Sequence, residues 1–300
     1  MSPELPAVAR SVPGCRRLSE CTTAVAARLA AASHVMLGLD YDGTLTPHVD
    51  DPNRAILGPD VRANLRALAA RPKVTIAVVS GRALEDVRQL VGIEGLIYAG
   101  NHGLQIVGPD FHYIEASAAA DRGSLSALAQ TLAAQLQTYA GSFVENKGLT
   151  LSVHYRLVAV HLRDGLRRTV EGAVENVGHC FQLRKGNNVL EIRPQVDWHK
   201  GRALQWIQDR PTLQDALAIY IGDDETDEDG FTALPDGITI KVGDPSKTSA
   251  QFHVDTPDDV REFLEWLERT ALGGRDGRTL ALARLGAIVS PHVSLDSTGG

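Results

Sequence analysis

The chain has 300 residues, of which 43% are hydrophobic and 22% charged, as in an ordinary globular protein with a well-buried core. Its 37 acidic and 30 basic residues give a formal charge of −7, which argues against a general nucleic-acid-binding role. The three cysteines, Cys15, Cys21 and Cys180, are odd in number and lack metal-ligand spacing. They favour a reducing, cytoplasmic location over a disulfide scaffold.

From the sequence we expect neither a membrane-spanning segment nor a signal peptide. The first twenty residues contain Pro, Glu and Arg without an apolar core of signal-peptide length. The uncharged stretch 123–144 has the length of a membrane span, but its large apolar residues recur at steps of three and four, which predicts an amphipathic helix. We expect no membrane partner, a loose tail over residues 1–20 and a second tail over residues 271–300.

Five apolar runs predict buried strands, and amphipathic helices separate them. The runs are Val35–Leu39, Val74–Val79, Leu96–Ala99, Ala216–Ile221 and Ile238–Val242. A helix opens at Pro59, and another begins at about Pro257 with Thr256 as its N-cap. Near-continuous apolar strands that alternate with helices indicate an α/β fold, with a Rossmann-like parallel sheet covered on both faces. Ligands of such sheets gather at the carboxyl ends of the strands.

The middle of the chain departs from this alternation. Over residues 109–194 the pattern is helix, two strands, helix, two strands, with a hairpin at Lys185-Gly186-Asn187-Asn188. It predicts a small antiparallel sheet with helices on one face, inserted as an α+β cap. The catalytic core would comprise residues 21–108 and 195–270. The open polar face of the cap would carry His154, Arg156, Glu191 and Arg193.

The chemistry begins where the first strand ends, at Asp40-Tyr41-Asp42-Gly43-Thr44. Two carboxylates two residues apart on extended backbone can face one pocket. One could attack phosphorus as a nucleophile while the other gives and takes protons. Gly43 permits the tight turn that brings backbone amides towards an anion. Acid pairs are common on surfaces, but the buried strand before this pair and the Gly-Thr after it favour a catalytic role.

A second acidic segment, GDDETDEDG at 222–230, follows the fourth strand. A solvated loop at a helix N-terminus accounts for Glu225, Glu228 and Asp229, because negative charge is favourable there. It does not account for Asp223, which directly follows a buried strand at the same sheet edge as the first acid pair. Collected carboxylates favour Mg²⁺, and the cation would let an acidic pocket accept a phosphate monoester.

Two further residues suit a phosphate site. Ser80, in Ser80-Gly81-Arg82 after the second strand, could donate a hydrogen bond to a phosphoryl oxygen, although turn serines of this kind are often ordinary. Lys200 precedes a helix and would be a surface charge without this context. A phosphate site built from acids needs a fixed cation to stabilise the charge of the transition state, and Lys200 can supply it.

These motifs follow the order Asp-x-Asp-Gly-Thr, Ser-Gly-Arg, inserted domain, Lys, Gly-Asp-Asp-x-x-Asp. The order resembles that of the haloacid-dehalogenase-like phosphatases, in the branch whose cap lies between the second and third motifs. Within that superfamily the chain is similar to the trehalose-6-phosphate phosphatases, from about Val35 to Leu267. The segments that carry the resemblance are LDYDGTL (39–45), VSGR (79–82), NHGL (101–104), VENKGLTLSVHYR (144–156), GNNVLEIRP (186–194), HKGRAL (199–204) and GDDETDEDGF (222–231).

The resemblance implies a magnesium-dependent mechanism through an aspartyl-phosphate. Asp40 would be the nucleophile, and Asp42 would protonate the leaving sugar oxygen and then activate water. Lys200 would orient Asp40 and, with Ser80, hold the phosphoryl group. The metal ligands would be Asp40, the backbone carbonyl of Asp42 and Asp223, with Asp227 supporting from an outer position.

The resemblance also implies a small-molecule sugar phosphate as substrate, with trehalose 6-phosphate favoured. Carboxylates and amines suit a neutral polyol, which offers donors and acceptors in every direction. A surface ion pair of little energetic value is the alternative role for Glu145 and Lys147, and Arg193 is assigned only a strand-end charge. No obligate protein partner is evident. The implied substrate-binding residues are Asp40, Tyr41, Asp42, Arg82, Asn101, His102, Glu145, Lys147, Arg156, Lys185, Asn187 and Glu191.

Other functions remain open at this point. A phosphatase of the same architecture could act on sucrose phosphate, a phosphoglycerate-linked sugar or a hexose phosphate. A signalling receiver also accepts phosphate on Asp with the help of an acid pair, a Ser or Thr and a Lys, but receivers are far shorter and lack an inserted cap. A catalytically dead homologue is disfavoured, because every required residue type is present.

Overall fold

The computed structural model of the protein describes residues 14–49, 52–186 and 188–271. The strands are β1 (Arg16–Arg17), β2 (Val35–Leu39), β3 (Val74–Val79), β4 (Ile97–Gly100), β5 (Gln105–Val107), β6 (His112–Ile114), β7 (Phe143–Asn146), β8 (Leu151–His154), β9 (Phe181–Gly186), β10 (Val189–Pro194), β11 (Leu217–Gly222), β12 (Ile238–Val242) and β13 (Phe252–Val254). The α-helices are α1 (Thr22–Ala31), α2 (Pro59–Ala69), α3 (Leu84–Val91), α4 (Ala116–Ala120), α5 (Arg122–Gln135), α6 (Arg163–Asn176), α7 (Lys200–Gln208), α8 (Glu225–Ala233) and α9 (Pro257–Trp266). Within these ranges, each helix is too short or too polar to cross a membrane.

The larger sheet has nine strands in the order β1-β13-β12-β11-β2-β3-β4-β5-β6. The strands from β1 to β4 in this order pair in parallel, and β5 and β6 extend the sheet with antiparallel pairing. Leu37 and Leu39 of β2 pack with side chains of α1, α2, α3 and α9, while Met36 packs on the opposite face with α7 and α8. The predicted α/β fold with a parallel sheet buried on both faces is confirmed.

The predicted strands of this sheet match the structure closely. Three have the predicted bounds, and the runs predicted as Leu96–Ala99 and Ala216–Ile221 are displaced by one residue. Thr256 caps α9 as predicted, because its hydroxyl accepts from the Asp259 N–H and the Asp259 carboxylate accepts from the Thr256 N–H. Buried apolar runs and helix caps are local signals, which is why the sequence reveals them.

The smaller sheet has four antiparallel strands in the order β7-β8-β10-β9. Leu125, Leu128 and Leu132 of α5 and Leu166 of α6 pack against Leu190 of β10 in a separate hydrophobic cluster. The stretch that has the length of a membrane span therefore contains the predicted amphipathic helix. The small sheet and its two helices form the α+β cap, inserted between β6 and α7.

Two segments differ from their predicted assignments. Arg16 and Arg17, placed in the loose tail, pair with β13 at the edge of the large sheet, and Leu18 is buried beneath them. Two arginines on a short edge strand provide no apolar alternation by which to recognise it. Strand β6, placed in the cap, pairs with β5 in the large sheet instead. Residues 1–13, Asn187 and residues 272–300 lie outside the described residues.

Candidate active site

The carboxyl ends of β2 and β11 bring the two acidic motifs together. Ile221 of β11 lies opposite Leu39 of β2, and the Asp40 N–H donates to the Ile221 carbonyl at 2.9 Å. Asp223 therefore follows β11 close to the level at which Asp40 follows β2. One carboxylate oxygen from each of Asp40, Asp223 and Asp227 lies within 4.8 Å of the others. The convergence expected from the strand ends is present.

Lys200 lies between two of these aspartates. Its Nζ donates to Asp40 Oδ1 and to Asp227 Oδ1, each at 2.7 Å, and only 3% of its side chain is exposed. Burial alone would lower the pKa of Lys200, but the charges of Asp227 and Asp40 raise it above the ordinary value. The ammonium group is therefore a fixed positive charge at the first residue of α7.

The pocket carries more negative than positive charge. Burial raises the pKa of Asp40 well above its ordinary value; Lys200 opposes this shift, whereas Asp227 and Asp223 add to it. Asp40 and Asp227 share the buried ammonium group of Lys200, and Asp223 completes a cluster of three carboxylates. The three side chains that could bind a metal all offer carboxylate oxygens, which suits a hard divalent cation. Such a cation would also favour the ionised form of Asp40.

Asp227 is the most completely hydrogen-bonded member of the cluster. Its Oδ1 accepts from Lys200 and from the Tyr220 hydroxyl, and its Oδ2 accepts from the N–H groups of Asp223 and Asp224 at 3.1 and 3.0 Å. A carboxylate offers about four acceptor positions, and all four are occupied here. Asp227 therefore holds Lys200 and the 222–224 loop in place.

Arg82 binds Asp42 through two hydrogen bonds. Its Nε donates to Asp42 Oδ2 and its Nη2 to Asp42 Oδ1, both at 2.6 Å, and Nη2 also donates to the Pro52 carbonyl. This forked geometry fixes a carboxylate in orientation as well as in position. Arg82 is predicted among the sugar contacts, but in the structure its guanidinium group binds Asp42, the residue predicted to act as general acid and base.

Ser80 and Asn101 follow neighbouring strands but differ in what they can offer a ligand. Ser80 Oγ accepts from the Arg82 N–H at 3.1 Å, which leaves its own O–H to donate. The Asn101 amide donates to the Lys147 carbonyl, and its Oδ1 accepts from the Thr150 hydroxyl at 2.7 Å. Asn101 is fully buried, so its side chain pins the β7–β8 turn of the cap to the core.

Lys147 and Glu191 of the cap reach the core loops. Lys147 Nζ donates to the Gly81 carbonyl at 3.1 Å and lies 3.9 Å from Glu191 Oε1. Arg193 donates to Glu191 Oε2 through Nε and Nη2, and His102 Nε2 lies 3.4 Å from Oε1. Burial raises the pKa of Glu191, but His102, Arg193 and Lys147 outweigh it and bring the pKa well below its ordinary value. Glu191 is an ionised carboxylate.

His102 is neutral in this arrangement. Burial lowers its pKa to about 4, although Glu191 opposes the shift. Its Nδ1 is buried without a hydrogen-bond partner among the described residues. A neutral imidazole donates from one nitrogen and accepts at the other, so Nε2 can donate to Glu191 while the buried Nδ1 is the acceptor.

The remaining predicted sugar contacts in the cap are Glu145, Arg156 and Lys185, and the structure does not place all three on the open polar face. Glu145 pairs with His154 at 2.8 Å on the open face, and burial of its carboxylate is outweighed by His154 and Lys147, which leaves its pKa lowered. Arg156 is exposed after β8. Lys185 lies opposite the buried Leu190 in the β9–β10 register, and opposed residues share a face. The structure therefore does not bring Lys185 to the open face with Glu191.

Tyr41 requires a correction. Its side chain is fully buried, and its hydroxyl donates to the Ala55 carbonyl at 2.7 Å. Burial raises its pKa to about 12. The side chain points into the core because residues alternate in direction where β2 ends, so Asp40 faces the pocket and Tyr41 does not. The predicted sugar contact by the Tyr41 side chain is wrong.

Known proteins share both the sequence and the fold of this chain. A family model described as trehalose-phosphatase matches residues 38–258. A trehalose-phosphate phosphatase of Mycobacterium tuberculosis is 39% identical over 270 residues, which cover 85% of this chain and 68% of the relative. The C-terminal domain of a C. albicans trehalose-6-phosphate phosphatase matches the fold with a TM-score of 0.71 at 21% identity, over 86% of this chain and 99% of that domain. A haloacid-dehalogenase-like hydrolase of Bacteroides thetaiotaomicron matches with a TM-score of 0.57 at 16% identity, over 78% of this chain and 100% of its own.

Proposed function

The chain belongs to the trehalose-phosphatase family, and from that premise we propose that it hydrolyses trehalose 6-phosphate to trehalose and inorganic phosphate through a phosphoryl group carried on Asp40. The observation that supports this most strongly is the placement of Asp40, Asp223 and Lys200 at one sheet edge. In the proposed reaction these residues are the nucleophile (Asp40), a ligand of the cation (Asp223) and the fixed positive charge (Lys200). The haloacid-dehalogenase-like fold and its cap accord with this chemistry.

The proposed reaction has two steps. An oxygen of Asp40 attacks phosphorus, the bond from phosphorus to the sugar oxygen breaks, and Asp42 supplies the proton that the leaving oxygen needs. Asp42 then accepts a proton from water, whose oxygen attacks phosphorus and releases phosphate from Asp40. Lys200 and the Ser80 hydroxyl hold phosphoryl oxygens through both steps. Lys200 also fixes the orientation of Asp40, since it already donates to Oδ1.

Mg²⁺ is the cofactor that suits these residues. Asp40, the backbone carbonyl of Asp42 and Asp223 would hold it, with Asp227 behind them. When bound, Mg²⁺ would offset the charge of the carboxylates and of the phosphate ester. The convergence of the Asp40, Asp223 and Asp227 carboxylates supports the assignment.

The sugar would lie between the open face of the cap and the core loops. Glu145, Lys147 and Glu191 offer acceptors and donors there, and His102 contacts Glu191 from the core side. Arg193 positions Glu191 rather than contacting the substrate. A neutral disaccharide, rich in hydroxyl groups, matches such a surface better than an apolar leaving group does.

Phosphate release across a panel of esters tests the proposal. We expect turnover of trehalose 6-phosphate with Mg²⁺, much slower release from sucrose phosphate and hexose phosphates, and no release once a chelator has removed the metal. Preference for another sugar phosphate would replace the substrate assignment. A single phosphorylation without turnover would indicate a phosphate-accepting signalling protein instead.

Glu191→Ala is expected to separate sugar recognition from chemistry. A hydrogen bond to a charged group contributes roughly 1.5–3 kcal/mol, so kcat/KM for trehalose 6-phosphate should fall about 10–100-fold. Hydrolysis of an aryl phosphate, which presents no sugar hydroxyl, should change far less. Glu175→Ala, on the exposed side of α6, is the matched control and should affect neither substrate. Equal losses on both substrates for Glu191→Ala would mean that Glu191 does not contact the sugar.

A further inference from the structure

His48 contacts the carboxylate of Asp223, the proposed metal ligand, and no catalytic motif includes His48. Its Nε2 is 2.8 Å from Asp223 Oδ2, and 70% of its side chain is exposed. The Thr44 hydroxyl donates to the other oxygen, Asp223 Oδ1, at 3.3 Å. Each oxygen of Asp223 therefore has a donor from the loop that follows β2. These two donors belong to the same segment as Asp40 and Asp42.

The main chain of Asp223 is held independently of its side chain. Its N–H donates to Asp227 Oδ2 at 3.1 Å, and its carbonyl accepts from Lys241 Nζ. Rotation about the side-chain bonds is then the freedom that remains to this carboxylate. Thr44 and His48 are the described residues whose side chains restrict it.

The absence of a side chain at Gly43 leaves room for the contact between His48 and Asp223. It has a φ of +80°, and a Cβ at this position would lie 2.2 Å from Asp223 Oδ2 and 2.6 Å from His48 Nε2. The imidazole of His48 and the carboxylate of Asp223 therefore meet directly above the backbone of Gly43. A side chain on residue 43 would separate them, and the left-handed φ also favours glycine.

We propose that His48 is a positioning residue of the metal site, which holds the Asp223 carboxylate in the orientation that binds Mg²⁺. This inference rests on the proposed function. A carboxylate oxygen has two lone pairs, so Oδ2 can accept from His48 and the carboxylate can still bind a cation. Residues that orient metal ligands in this way typically change metal affinity by about 10–100-fold when removed.

Direct measurement of Mg²⁺ affinity without substrate tests this role. Calorimetric titration of His48→Ala should give a Mg²⁺ dissociation constant about 10-fold higher than that of the unchanged protein. His48→Gln should recover most of the affinity, because its side-chain amide reaches a similar position and donates one hydrogen bond. His112→Ala, at an exposed histidine of β6, is the matched control and should bind Mg²⁺ as the unchanged protein does.

The outcomes separate this inference from the proposed function. If the unchanged protein binds Mg²⁺ and hydrolyses trehalose 6-phosphate, but His48→Ala binds Mg²⁺ equally well or more tightly, the positioning role is overturned alone. The same holds if His48→Gln loses as much affinity as His48→Ala. If the unchanged protein neither binds Mg²⁺ nor turns over the ester, the proposed function fails, whatever the variants do. Urea unfolding of both variants checks that the exposed position leaves the fold intact.

Discussion

Replacing Lys200 with Met is expected to remove activity and to lower the free energy of unfolding by about 3–5 kcal/mol, because it leaves buried carboxylates without their cation. The side chains of Asp40 and Asp227 are 6% and 0% exposed, so water cannot take over the role of the ammonium group. Loss of a fixed donor from the transition state should reduce kcat by at least about 10²–10³-fold. Urea unfolding and phosphate release measure the two effects.

An exposed lysine provides the comparison for Lys200→Met. Lys73→Met, just before β3, should change the free energy of unfolding by no more than about 0.5 kcal/mol. Adding Asp227→Asn to Lys200→Met should return part of the lost stability, because one uncompensated charge is then absent. Unfolding of Lys200→Met at the same urea concentration as the unchanged protein would contradict the buried charge cluster.

Asp40→Asn is expected to abolish turnover while preserving, or slightly raising, the stability of the fold. An amide cannot attack phosphorus, and loss of a nucleophile typically costs well over about 10⁴-fold in kcat. Burial raises the pKa of Asp40 well above its ordinary value, so the folded protein disfavours the charge that catalysis requires. Asn has the shape of Asp, and its amide oxygen can still accept from Lys200. Stability traded for activity is a common property of catalytic residues.

Asp60→Asn, at an exposed position in the first turn of α2, controls for the loss of one carboxylate. It should leave turnover unchanged and lower the free energy of unfolding by no more than about 1 kcal/mol, because it removes one negative charge from a helix N-terminus. Substantial turnover by Asp40→Asn would remove Asp40 from the role of nucleophile. A large loss of stability would instead mean that Asp40 contributes to the fold as an ion pair.

Much of the fold follows from local patterns in the sequence. Val35–Leu39 and Val74–Val79 are apolar without interruption because both faces of the sheet are covered, and each ends at a polar motif. The carboxyl ends of parallel strands meet at one edge, so Asp40 and Asp223 could be placed together although 183 positions separate them. The parallel topology of the sheet, which the sequence pattern predicts, is what made this long-range contact predictable.

The partners of individual side chains could not be predicted in the same way. The two hydrogen bonds from Arg82 to Asp42 and the anchoring of the cap by Asn101 depend on loop paths that local patterns do not specify. Tyr41 was misplaced because its position inside the acidic motif outweighed the alternation that turns it into the core. His48 gave no signal, since an exposed histidine after a motif is ordinary until its carboxylate partner is known.

Trapping of the phosphoryl group on Asp40 tests the central mechanism most directly. In Asp42→Asn, an aryl phosphate with a good leaving group should still transfer its phosphoryl group, but no base would activate water to remove it. After acid quenching and digestion, mass spectrometry should find one phosphoryl group on the peptide that contains Asp40. A phosphoryl group on any other residue, or steady phosphate release from Asp40→Asn, would contradict the mechanism.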